Sequence, residues 1–306
     1  MQLDTSFESP VDEQAASELP LWQRRQHPFT RWSLQVFMLI LAVIMIFPFV
    51  YIVSLSFSSI QDVARGGLNF IPAHPTLEGY QWLWGGGVII PAFIISVVVT
   101  LSSTAISLLL TTMMAYGLSR RQLPGGKFLL WIVLLTLLIS PGIIPNYLLV
   151  QQLGLLNTLW ALILPGAVTG FHIIVMRQFF MNIPQELIDC ARIDGANEWQ
   201  ILWRIVLPLS KAVVAVIALF VAVNQWNSFF NAIVYLSDPT LYPLSMVVRT
   251  LVLQGEMPAD YQVSASPPTM ALQMAAVVVT TIPILMVYPF LQRHFTKGVL
   301  TGSIKG

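Results

Sequence analysis

The sequence predicts an all-α integral membrane protein with six transmembrane helices. Of its 306 residues, 56% are hydrophobic and only 9% are charged, whereas soluble domains carry about a quarter charged residues. The apolar runs are continuous, which favours helices over the alternating strands of a membrane barrel. A net charge of +1 provides no basic surface for nucleic acid, so the lipid bilayer is the expected surrounding.

Six apolar segments are each long enough to cross a bilayer core as a helix. They cover residues 32–57, 89–118, 128–150, 158–179, 212–236 and 269–291. Pro141, Gly142 and Pro145 predict a kink or break in the third segment. Residues 1–30 are expected to form a polar cytoplasmic tail, followed by one membrane domain at residues 31–306. The acidic start of the tail argues against a cleaved signal peptide.

The basic residues predict the orientation of the chain, because cytoplasmic loops are enriched in Lys and Arg. With the N-terminus inside, all of the 15 basic residues except Arg65 and Arg249 fall on the cytoplasmic side. Both termini and a polar stretch at residues 184–208 are therefore expected to face the cytoplasm.

Residues 184–208 are predicted to fold as two short helices. Pro184 and Glu186 suit a first helical turn. Gly195 suits the reversal between the helices, because glycine enters left-handed geometry without steric cost, and Pro208 marks the next break. The expected apolar faces are Leu187, Ile188 and Ala191 on the first helix and Trp199, Leu202, Trp203 and Val206 on the second.

The spans lack the groups that would power transport on their own. None contains Asp, Glu or Lys, and Arg177 lies near an inner end. An ion-coupled carrier or channel, the alternative function, is disfavoured because coupling ions need buried ionisable groups. His172 is interpreted as a packed, hydrogen-bonded histidine rather than a proton relay.

The sequence also offers no catalytic or nucleotide site. Gly125-Gly126-Lys127-Phe128 lacks the Ser or Thr that follows Lys in a phosphate-binding loop. No Ser/His/Asp arrangement and no metal-spaced His/Cys cluster is present, which disfavours a membrane-embedded enzyme. Energy for any active transport is therefore expected from a partner at the cytoplasmic face.

The polar stretch resembles the cytoplasmic EAA loop of binding-protein-dependent ABC importer permeases. That pattern is E-A-A, three residues, G, nine residues and then I-x-L-P. The chain has Asp189-Cys190-Ala191, Gly195 and Ile205-Val206-Leu207-Pro208 at the full spacing, with Asp189 replacing Glu and Cys190 replacing the first Ala. Residues 154–160 and 288–306 are similar to the sugar-permease branch related to the maltose importer's smaller permease, and to LplC-like permeases in particular.

The resemblance implies a type I ABC importer permease fold in a bacterial inner membrane and uptake of an oligosaccharide. It also implies a heterodimer with a second permease, two ATPase subunits that bind ATP and Mg²⁺, and an extracytoplasmic solute-binding protein. This chain itself would hold no cofactor and no catalytic residue. The residues implied in ATPase coupling are Glu186, Asp189, Cys190, Ala191, Arg192, Asp194, Gly195, Ile205, Leu207 and Pro208.

A run of amides and aromatic residues in the fifth segment is a candidate lining for a sugar path. Sugars present hydroxyls to amides and apolar faces to aromatic rings. The candidates are Asn224, Trp226, Asn227, Ser228 and Asn231, of which the Asn and Ser residues would share one helical face. Hydrogen bonding between helices explains buried amides equally well.

Overall fold

The structure, a computed structural model, describes residues 28–303 except 60–61, 64–70, 73, 86, 121–122 and 255–269. The described residues are helical and form no sheet, apart from one isolated bridge between Ser58 and Pro75. The chain divides into two units, one ending at Tyr51 and one beginning at Ile52. Most of helix α1 (Pro28–Ser56) lies in the first unit, and it is long and apolar enough to cross a membrane.

The second unit contains the remaining described helices. They are α2 (Glu78–Gly85), α3 (Ile89–Ser119), α4 (Gly126–Leu138), α5 (Ile143–Gln152), α6 (Trp160–Ile163), α7 (Gly170–Met181), α8 (Gln185–Ile193), α9 (Glu198–Leu209), α10 (Lys211–Trp226), α11 (Phe230–Tyr235), α12 (Leu244–Gln254) and α13 (Met270–Ser303). By length and composition, α1, α3 and part of α13 qualify as spans, with two more if the bent pairs α4–α5 and α9–α10 each count as one. The predicted count of six is therefore not confirmed among the described residues.

The third and fourth predicted spans are both interrupted. The break expected in the third is confirmed, since α4 and α5 meet at 117° around Gly142, whose φ is 79°. The prediction of one helix over residues 158–179 is wrong, because α6 ends at Ile163 and α7 begins at Gly170. Pro165 and Gly166 lie in the gap and disfavour a continuous helix, although the hydropathy of this segment is uninterrupted.

The fifth predicted span also breaks before its expected end. Helix α10 stops at Trp226 and α11 starts at Phe230. The side-chain Nδ2 of Asn227 donates to the carbonyl oxygen of Val223 at 2.8 Å, a local bond that competes with continuation of the helix. The break separates Ser228 and Asn231 from Asn224 and Asn227, so the four polar residues do not share a face of one helix, contrary to the prediction. The sixth span begins as expected, but its helix continues to Ser303.

Helix α3 is the central packing element of the second unit and contacts α7, α10 and α12. Its buried side carries small hydroxyl residues such as Ser103, Ser107 and Thr111, which allow helices to approach closely. Gly170 marks a second close approach, because a Cβ there would lie 2.9 Å from the carbonyl oxygen of Val133. Arg177 Nε donates to the carbonyl oxygen of Leu118 at 2.8 Å and so fixes α7 against the end of α3.

Candidate functional site

Helices α8 and α9 confirm the predicted pair of short helices with a reversal at Gly195. The glycine has a φ of 82°. Its amide donates to Arg192 at 3.0 Å and the next amide, of Ala196, donates to Ala191 at 2.9 Å, the two bonds of a Schellman C-cap. A capping box starts α9: Asn197 Oδ1 accepts from the Gln200 amide, and Gln200 Oε1 accepts from the Asn197 amide, both at 2.9 Å.

The break expected at Pro208 occurs two residues later. Pro208 has no amide hydrogen for the carbonyl of Arg204, and the residues before it, Leu202–Val206, form a π-helical turn. Proline is thus accommodated inside α9. The chain then bends by 84° between α9 and α10, around Ser210.

The apolar faces of the pair differ in part from the predicted ones. Ile188 and Ala191 of α8 and Ile201, Leu202 and Val206 of α9 are buried, in a cluster with Tyr116, Met176 and Phe180. Leu187, Trp199 and Trp203 were predicted in the apolar faces but are exposed by 46%, 56% and 52%. Helical spacing allows more than one apolar stripe, and the sequence does not say which one packs. As a result, two tryptophans four residues apart form an exposed strip on α9.

Glu198, which was not predicted as a site residue, joins α9 to the end of α3. Its Oε2 accepts a bond of 2.5 Å from the Tyr116 hydroxyl and one of 2.6 Å from Arg120 Nη2. Its Oε1 accepts from Arg192 Nη2 at 2.8 Å. Arg120 also donates to the Tyr116 hydroxyl. Partial burial lowers the pKa of the Arg120 guanidinium, and the charge of Glu198 opposes that change.

The network extends along α8 through Asp189. Asp189 Oδ1 lies 3.5 Å from Arg192 Nη1 and accepts a bond of 3.2 Å from Gln185 Nε2. Asp189, which stands where the EAA pattern has Glu, therefore pairs with Arg192, the same arginine that Glu198 binds. The connection between the three helices consists of the Glu198 carboxylate on α9, the Arg192 guanidinium on α8, and the Arg120 guanidinium and Tyr116 phenol at the end of α3.

The other residues implied in coupling lie around this network. Those with exposed side chains are Glu186, Cys190, Asp194 and Pro208, and Gly195 is also exposed. Ile205 and Leu207 are partly buried against the cluster that holds Tyr116 and Ile188. The pair therefore combines an anchored inner side with a polar and aromatic outer side.

The candidate sugar-path residues divide into packing and exposed groups. Trp226 is buried, donates its indole N–H to the carbonyl of Thr280 at 3.1 Å and packs edge-to-face on Phe93. Asn224 and Asn227 are exposed, whereas Ser228 and Asn231 are partly buried.

His172 is the ionisable residue at depth in the fourth predicted span. The buried Nδ1 of His172 has no hydrogen-bond partner in the part of the chain that is described, so the expected hydrogen bond is not seen at that atom. Among the described residues, no group of His, Cys, Asp and Glu side chains is arranged to hold a metal ion.

Comparison with known proteins connects this geometry to a family. Residues 107–301 match the family described as "Binding-protein-dependent transport system inner membrane component". The polygalacturonan/rhamnogalacturonan transport system permease protein YtcP of Bacillus subtilis is 42% identical over 88% of this chain and 96% of its own length. Protein LplC of the same organism is 42% identical over 86% and 90%.

A solved structure shares the fold. It is a crystal structure of a bacterial ABC transporter involved in the import of the acidic polysaccharide alginate. One of its chains is 28% identical to this one, with a TM-score of 0.83 over 90% of this chain and 100% of that chain. This chain therefore belongs to the family of inner membrane components of binding-protein-dependent transport systems, and it is a transport permease with the ABC importer permease fold.

Proposed function

We propose that this permease carries oligosaccharides into the cell and that an ATPase subunit drives it through the α8–α9 pair. The observation that supports the proposal is the structure of the α8–α9 pair. Its Trp199–Trp203 strip is exposed, yet its inner side is anchored to α3 through Glu198 and Arg120. An exposed apolar strip rimmed by charges is typical of a protein interaction surface. The carbohydrate class is supported by YtcP and by the alginate importer, both named for acidic polysaccharides.

The proposed assembly contains a second permease, two ATPase subunits and an extracytoplasmic solute-binding protein. ATP and Mg²⁺ bind the ATPases, and this chain is non-catalytic and holds no cofactor. Trp199 and Trp203 enter the apolar part of an ATPase cleft, while Glu186, Asp189, Arg192 and Asp194 contact its rim. Closure of the ATPases moves the pair, and the link to α3 and the bend into α10 transmit that movement to the spans.

Reconstitution separates this proposal from the ion-coupled alternative. The chain is placed in proteoliposomes with its partner subunits, and uptake of a labelled oligosaccharide is measured. Uptake is expected to require ATP and the solute-binding protein and to survive collapse of the proton gradient. Uptake that follows the proton gradient without ATP would contradict the proposal and support a carrier.

The orientation can be tested with Cys190, the single cysteine of the sequence, which is exposed on α8. A membrane-impermeant maleimide is expected to label Cys190 in inside-out vesicles and not in intact cells, because α8 is proposed to be cytoplasmic. Bound ATPase subunits should reduce the labelling. Labelling is read by the mass increase of the chain.

A matched control places a cysteine on the opposite side of the membrane, where the expected labelling is the reverse of that at Cys190. In a Cys190→Ser background, the exposed Ser237, beyond α10 and α11, is changed to cysteine. The expected result is labelling in intact cells. Labelling of Cys190 from outside would place α8 on the wrong side of the membrane for an ATPase and would reject the proposed orientation.

A further inference from the structure

We infer that Arg249, Phe229 and Asn227 form a subsite that binds the carboxylate-bearing sugar of an acidic oligosaccharide during its passage. The inference rests on the proposed function and deepens it, because it assigns a substrate class to a particular place in the chain. It depends on where the break after α10 lies, on what surrounds Arg249, and on the exposed amides beside it.

The break after α10 lies far from the proposed ATPase surface. Helix α10 has 16 residues and is therefore about 24 Å long, close to the thickness of a bilayer core of about 30 Å. Its first residue, Lys211, follows the bend that leads out of α9. Residues 227–229 at its other end are thus most of a membrane thickness away from the α8–α9 pair.

Helix α12 brings Arg249 to this break. Buried Leu244, Val247 and Leu251 hold α12 in the core, and the amide of Leu244 donates to Ser96 Oγ of α3 at 2.7 Å. The guanidinium carbon of Arg249 lies 5.3 Å from the centre of the Phe229 ring. A cation and an aromatic ring are therefore presented together by a packed helix and a helix break.

Arg249 has an incomplete set of partners. Its side chain is partly buried, and no carboxylate among the described residues forms an ion pair with it. A partly desolvated cation is unfavourable unless it is paired, and a ring face compensates the charge only in part. An anionic ligand would complete the set, and a guanidinium can bind a carboxylate through two parallel hydrogen bonds.

The neighbouring amides favour a sugar as that ligand. Asn224 and Asn227 are exposed and three residues apart, so they lie on one side of the end of α10. The hydrocarbon core offers amide side chains no hydrogen bonds, which favours water or the second permease on this side. Asn227 uses Nδ2 internally, which leaves Oδ1 to accept from a sugar hydroxyl beside the Phe229 ring.

A selectivity measurement on the complete importer tests the subsite. The probes are trigalacturonate and galactotriose, an acidic and a neutral trisaccharide, and initial uptake rates are measured in proteoliposomes. Arg249→Gln is expected to lower the acidic-to-neutral uptake ratio about tenfold or more, because one charge-assisted pair is lost. Arg249→Lys is expected to recover part of the ratio, since it keeps the charge but not the bidentate geometry.

Each outcome decides a different question. Equal loss of both uptake rates in Arg249→Gln would overturn the subsite by showing a structural or lipid-anchoring role, and two unchanged rates would overturn it as well. Wild-type importer that carries galactotriose but not trigalacturonate would also overturn it and leave the proposed function intact. Wild type that carries neither sugar would overturn the subsite, and ATP-dependent uptake of other labelled oligosaccharides would then decide the proposed function separately. Basal ATPase activity and membrane abundance confirm that each variant is assembled.

Discussion

Replacing Gly195 with aspartate is expected to abolish oligosaccharide uptake while leaving the protein in the membrane. Gly195 has a φ of 82°, a geometry that costs other L-residues about 1–2 kcal/mol. Apart from Gly195 and its two chain neighbours, no heavy atom of the described chain lies within 4 Å of the position that its Cβ would take, so the new side chain meets no obstacle from the surrounding structure. It would instead project next to Asp194 from the surface proposed to enter the ATPase cleft.

The size of the effect follows from desolvation. An unpaired carboxylate transferred into an interface costs several kcal/mol, which corresponds to a loss of docking of at least about 100-fold. ATP hydrolysis by the assembled complex is expected to lose its dependence on substrate-loaded binding protein. The measurements are uptake rate, ATPase activity and the amount of the chain in the membrane.

Gly154→Asp provides the matched control. Gly154 has a φ of 67° and equally open surroundings, so the backbone strain is similar, but it lies in the turn after α5, outside the proposed ATPase surface. Most of the uptake should remain in this variant. Equal losses at Gly154 and Gly195 would assign the effect to strain, and full uptake by Gly195→Asp would reject the coupling surface.

Features set by local chemistry were predictable from the sequence. Helix α3 was expected at residues 89–118 and is found at Ile89–Ser119, because hydropathy and length determine a long span. The reversal at Gly195 and the break near Pro141 and Gly142 followed from the backbone restrictions of glycine and proline. Membership of the importer family followed from the spacing between Asp189 and Pro208.

Features that depend on tertiary contacts were not predictable. The break at Pro165 and Gly166 is different, because these residues were a local signal that the continuous hydropathy of residues 158–179 outweighed in the prediction. The periodicity of α9 was equally compatible with burying Trp199 and Trp203 or exposing them. The position of Arg249 over Phe229 required knowing that α12 folds back onto the break after α10.

Glu198 is the clearest example of a site residue that the sequence could not reveal, because its partners are distant in sequence. Arg120 is 78 residues away, and the sequence ties neither residue to the other. Asn197 and Gln200 fit a capping-box pattern that could have indicated a helix start with a carboxylate in its first turn, but this pattern was not among the predictions. Only the fold shows that the end of α3 supplies the cation and the phenol that this carboxylate binds.

Glu198→Gln is expected to lower the amount of sugar imported per ATP hydrolysed by about five- to tenfold. The two ion pairs of Glu198 are half-exposed, so each contributes about 0.5 kcal/mol, and the Tyr116 hydrogen bond contributes about 1 kcal/mol. Loss of the two ion pairs and of the charge assistance in the Tyr116 hydrogen bond removes about 1–1.4 kcal/mol, which shifts a two-state equilibrium by about five- to tenfold. The change also leaves Arg120 and Arg192 as neighbouring like charges, which favours separation of α9 from α3.

A ratio of uptake to hydrolysis distinguishes transmission from folding, because a protein that is merely less abundant loses both rates together. Glu78→Gln is the matched control: Glu78 is also an exposed glutamate in the first turn of a helix, and it lies outside the network. It should keep the wild-type ratio. A Glu198→Gln variant that also keeps this ratio would show that the link carries no movement.

A double-mutant cycle between Tyr116→Phe and Glu198→Ala, which removes the acceptor altogether, then tests whether the contact itself is responsible. If movement of α9 reaches α3 through the bond between these two side chains, the double variant should be no worse than Glu198→Ala alone, because the second change removes a bond already lost. Additive losses would mean that the two residues act separately. In that case the apolar cluster of Ile188, Ile201 and Val206 would remain as the connection that moves α3.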